Sequence, residues 1–90
     1  MGVALEGAGL AFSSLKESDD GASIVARCLN VTGAAVHGAW VLPHAVATAH
    51  EARLDETPIA ALELNRTHIP IVVPPHGIHT VLVPTLGALA

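Results

Sequence analysis

Proline and glycine punctuate this chain every few residues, and no helical apolar stripe runs far between them. Six prolines and eight glycines are spread over 90 residues. A convincing helix needs ten or more residues of 3.6-residue periodicity, and proline in its interior removes a hydrogen bond and clashes with the preceding turn. What survives between the breakers is short and rich in β-branched residues. Ser23–Leu29, His68–Val73 and Ile78–Val83 are the clearest such runs, and runs of this kind favour a pleated, half-buried surface.

Reading along the chain, Val3 to Phe12 suits one weak or edge strand, with Gly7 and Gly9 inside it. Glu17-Ser18-Asp19-Asp20-Gly21 is a polar turn. Ser23–Leu29 is a central strand, with Ile24, Ala26 and Cys28 on one face and Val25, Arg27 and Leu29 on the other. Asn30-Val31-Thr32-Gly33 turns the chain into Ala34–Leu42, which Pro43 ends. Ala45–Leu54 keeps rough strand parity although alanine also suits helix, so it is expected to be extended. Asp55 to Pro58 is a turn, and Ile59–Leu64 fits a short strand or a helical turn. His68–Val73 tolerates Pro70 only as an edge or a bulge. Pro74-Pro75-His76-Gly77 is a corner before the closing strand, Ile78–Val83. Turn signals about every ten residues between six to eight short strands predict an all-β fold, an antiparallel immunoglobulin-like β-sandwich. The length suits a single domain over residues 1–90.

Charge decides several exclusions. The only cations are Lys16, Arg27, Arg53 and Arg66, and the net charge is −4. Nucleic-acid binding needs clustered cations or stacking aromatics, and Phe12 and Trp40 are the only rings of that kind. Charged residues are 13% of the chain against about 25% in a typical domain. Part of the surface is therefore expected to lie against more polypeptide or a second copy, giving a homo-oligomer. Cys28–His50 and Thr67–Ala90 carry no formal charge, but their prolines, histidines and Asn30 argue against a membrane span. No basic residue precedes Lys16, so no signal peptide is expected and the location would be cytoplasmic.

Few residues suggest chemistry. The six histidines invite a metal, but His76 and His79 fall on opposite faces of a strand. His37, His44 and His50 fall on different elements, so no metal or cofactor ligand is assigned. The acids Glu6, Glu17, Asp19, Asp20, Glu51, Asp55, Glu56 and Glu63 lie mostly in turns, and no catalytic pair is assigned. Ser13, Ser14, Ser18 and Ser23 lack a nucleophile elbow, and Gly7-Ala8-Gly9 lacks the lysine of a phosphate loop. Asn30 and Asn65 begin Asn-x-Thr acceptor patterns and read as turn asparagines. Cys28 reads as a buried thiol. Trp40 is expected in the core, with sugar stacking as its alternative use and thus the one candidate sugar-binding residue.

Four stretches carry a family resemblance. Val25-Ala26-Arg27-Cys28-Leu29-Asn30-Val31-Thr32-Gly33 resembles a strand closing in asparagine and a turn. Ala52-Arg53-Leu54-Asp55-Glu56-Thr57-Pro58 carries a leucine and an acidic pair after an extended stretch. Val73-Pro74-Pro75-His76-Gly77-Ile78-His79-Thr80-Val81-Leu82-Val83 resembles a closing Pro-x-x-Ile-x-Thr strand, and Leu10 to Lys16 resembles an opening strand. Together they are similar to the C-terminal β-sandwich module of glycoside hydrolase family 38, the α-mannosidases, best over residues 10–83. Val31 stands where the family pattern has proline, and His76-Gly77 stand where it has Phe-Glu.

The resemblance implies a non-catalytic fragment of a larger glycosidase. It would support the body that hydrolyses α-mannosidic bonds, with upstream catalytic and helical domains as its partners. Zinc is implied for the parent's catalytic domain and no cofactor for this chain. The alternatives are a free-standing immunoglobulin-like carbohydrate-binding or protein-interaction module, a C-terminal module of an α-amylase-like enzyme, and a self-associating structural protein.

Overall fold

A computed structural model describes residues 3–18, 21–43, 45–46, 48–55 and 57–84. They form eight strands and, among the described residues, no helix. The strands are β1 (Ala4–Glu6), β2 (Leu10–Glu17), β3 (Ser23–Asn30), β4 (Val36–Val41), β5 (His50–Ala52), β6 (Pro58–Ala61), β7 (His68–Val73) and β8 (Ile78–Pro84). One sheet has the order β1-β4-β7 and the other β2-β3-β8-β5-β6, with every pairing antiparallel. This is the expected antiparallel sandwich.

Strand alternation builds the core. Ala26 and Cys28 of β3, Val81 and Val83 of β8, Trp40 of β4, and Ile69, Ile71 and Val73 of β7 form one buried cluster between the sheets. β8 is the middle strand of the larger sheet, and its residues from His79 to Val83 are buried on both faces. On the outer face of that sheet, Val25, Ala52 and Leu82 make a second small cluster. The Arg27 side chain lies among these residues. Its Nη2 donates to the Leu54 carbonyl at 2.5 Å and its Nε to the Thr80 hydroxyl at 3.3 Å.

Two expectations need correction. Val3 to Phe12 is not one strand. It breaks at Gly7 and Gly9, whose φ angles of 136° and 90° suit glycine, and the halves join different sheets. Ala45–Leu54 is not wholly extended either, since only His50–Ala52 is a strand. Alanine adds little to a pleated surface, and Ala49 reaches the core from a non-strand segment. Ile59–Leu64 resolves as strand through Ala61. Asp19, Asp20, His44 and Glu56, and the tail 85–90, lie outside the described residues.

β7 is an edge strand, as Pro70 suggests. Leu42 N–H donates to the Thr67 carbonyl, while His68 exchanges both its backbone bonds with Asn65. Odd positions therefore face β4 and even ones face outward, so the N–H that Pro70 lacks would have pointed to the open edge. The other outermost strands are also irregular or short. β1 has three residues, β2 shifts register between Phe12 and Ser14, and β6 begins at Pro58 opposite a second register shift.

Candidate functional site

A buried titratable side chain meets a carboxylate on one flank of the sandwich. Glu51 is paired with Val81, a core residue, so β5 turns its carboxylate toward the inter-sheet side. His79 is paired with Cys28, also a core residue, and points the same way. The result is an imidazole Nε2 3.8 Å from Glu51 Oε2, with His79 only 5% exposed. His79 Nδ1 is buried with no hydrogen-bond partner. Burial holds the His79 pKa below its ordinary value, and the Glu51 charge opposes that shift only in part.

This pair lies in an open cleft of about 450 Å³ between β7 and the β5–β6 ribbon. His37 and Glu63 line its rim, and Leu62 and Ile71 supply apolar wall. Sequence reasoning missed the Glu51–His79 pair. Its only signal is parity within β5 and β8, and parity shows convergence only once the two strands are known to be neighbours.

The remaining candidates do not assemble. His37 and His76 are exposed, and His50 is half-buried on the opposite face of β5 from Glu51. His68 lies 3.7 Å from Glu6 across the outer face of the smaller sheet. Among the described residues no three His, Cys, Asp or Glu side chains are placed to hold a metal ion. The carboxyl of Asp55 is lowered chiefly by hydrogen bonds from Thr57, one of them from its backbone N–H at 3.0 Å, which makes it a turn stabiliser.

Trp40 is 0% exposed and meets Phe12 edge-to-face at 5.9 Å and 75°. No ring face is left for a sugar, so the sugar-stacking candidate is withdrawn. Asn30 is the turn asparagine expected, its Oδ1 taking the N–H two positions on, and it also ends β3 fully buried. Its Nδ2 donates to the carbonyls of Ala34 (2.8 Å), Val73 (3.0 Å) and Pro74 (3.1 Å). Its Oδ1 accepts from the Thr32 N–H (2.8 Å) and hydroxyl (2.7 Å). A side chain so committed is a structural tie and not a glycan acceptor. Asn65 is exposed at the turn into β7.

The model of the family described as "Glycosyl hydrolases family 38 C-terminal beta sandwich domain" matches residues 9–81. The chain belongs to that family. No curated protein and no solved structure matches it. The matched span of this family 38 sandwich domain runs from just before β2 to Val81 in β8. It thus takes in the Asn30 tie and the flank cleft, and leaves β1 outside.

Proposed function

We propose that this chain is a non-catalytic β-sandwich module that supports the body of an α-mannosidase-like family 38 hydrolase. The observation that carries the reading is the family match across β2 to β8. The side-chain geometry supports it. The flank cleft offers one imidazole–carboxylate contact at 3.8 Å, and the imidazole is almost wholly withdrawn from solvent. In this reading the zinc of the proposed parent enzyme belongs to a separate catalytic domain.

The outer face of the five-stranded sheet is the surface on which the module would rest against its parent. Val25, Ala52 and Leu82 are buried there, while Ile78 and Leu54 stay exposed at 53% and 61%. Apolar side chains of this size in water lose the stabilisation that a covering partner would restore.

The test is hydrolysis of an aryl α-mannoside by the purified 90-residue chain, with and without added zinc. No turnover is expected in either condition. Zinc-dependent turnover by the chain alone would overturn the reading.

A further inference from the structure

We propose that His79 is an acid-triggered latch that loosens the β5–β6 flank of the sandwich while the β3–β8 pairing stays closed. The geometry carries this. His79 sits 95% withdrawn from solvent on the middle strand of the larger sheet, and its Nδ1 has no acceptor. In the neutral ring an unpaired nitrogen in that position is tolerated. Protonation makes both ring nitrogens N–H donors that share one positive charge, and the N–H at Nδ1 has nothing to donate to.

The titratable groups near the ring are few. Glu51 on β5 faces it at 3.8 Å, Cys28 on β3 is its cross-strand neighbour, and His37 and Glu63 line the same cleft. Glu51 attracts the protonated ring, but at the cleft side, so the relief available to the cation is to move outward toward Glu51 and water. The cleft gives it that route, and the wall that must yield is slight. β5 has three residues, paired with β8 at three positions, and β6 is exposed along its whole length. The β3–β8 pairing covers seven positions and has no need to move.

The direction with pH follows from the proton balance. The ring in the loosened state takes up its proton near the ordinary histidine value of 6.5, and in the closed state only at lower pH. The closed flank is therefore favoured above about pH 6.5 and loses ground as pH falls below it.

Amide hydrogen exchange on the full chain at pH 7.5 and 5.5, corrected for intrinsic rates, is the experiment. The Leu62 and Arg53 amides, which bond to Ala49 and Thr57, should lose protection by about tenfold in acid. Val25 and Val81 should keep theirs. His79→Leu should abolish the difference, and His37→Gln should preserve it. Equal flank protection at both pH values, uniform loss in all strands, or an unchanged acid response in His79→Leu would overturn the proposal. Nuclear magnetic resonance titration of His79 in the wild-type chain gives a second reading that no variant's folding can spoil. A midpoint below the ordinary histidine value supports the latch, and one at or above it refutes it.

Discussion

The side chain of Asn30 donates to the backbone carbonyl of Val73 at 3.0 Å, which ties the end of β3 in one sheet to the end of β7 in the other. Two amide protons serve three carbonyls there, and the amide oxygen holds the following turn through Thr32. Asn30→Ala removes all of these bonds, and although Gly77 N–H still reaches the Pro74 carbonyl and the Thr32 hydroxyl the Ala34 carbonyl, the Val73 contact is lost in a buried place. Each hydrogen bond contributes about 1 kcal/mol and each buried orphan costs about 1–3 kcal/mol, so a loss on the order of 3–5 kcal/mol is expected. In a domain of this size that is a drop of at least about 12 °C in Tm, which calorimetry would record. Thr32→Val removes only the hydroxyl contacts and should cost about 1 kcal/mol.

Trp40 separates packing from hydrogen bonding. Its indole N–H is buried without a partner, so Trp40→Phe forfeits no hydrogen bond and should cost about 1–2 kcal/mol through lost volume. Trp40→Ala should cost about 3–5 kcal/mol. Emission from Trp40 should be blue-shifted and unmoved by mannose or oligomannose. A red-shifted emission that responds to sugar would contradict the buried placement.

Gly38 is a third test. A Cβ added there would run into the backbone carbonyl of Glu6 and the Leu10 side chain. The carbonyl belongs to β1, the short strand paired with β4, and backbone cannot yield as a side-chain tip does. Gly38→Ala should therefore destabilise the chain by about 2–3 kcal/mol in denaturant melts, with greater amide exchange along β1 than along β8.

Cys28 is 0% exposed, and burial pushes its thiol up to about 11. An aromatic disulfide reagent at pH 8 should label it only as fast as the chain opens, and at once in denaturant. The thiolate is disfavoured in the fold, so stability is intact below the unfolded thiol value near 9 and falls as pH rises toward 11. Cys28→Ala should flatten that alkaline loss.

The parts of the fold that could be read from sequence are those where local chemistry decides. Ser23–Asn30, His68–Val73 and Ile78–Pro84 are β-branched runs between turn residues, and each is a strand within a residue or so of its expected limits. The change of sheet at Gly7 and Gly9 was not legible, because alternation reports which side a residue faces and never which sheet it joins. β5 is shorter than the parity of Ala45–Leu54 suggests, because alanine-rich sequence gives no boundary. The same limit hid the candidate site. Glu51 and His79 are 28 positions apart, and only the placement of β5 beside β8 brings them together.

Pro70 gives the sandwich a social character. A neighbouring chain looking for a backbone to zip onto finds, along β7, a stretch with no proton to offer at its midpoint. Whatever meets this module there must recognise it by the shape and chemistry of its side chains, which keeps the meeting selective and makes it alterable one residue at a time.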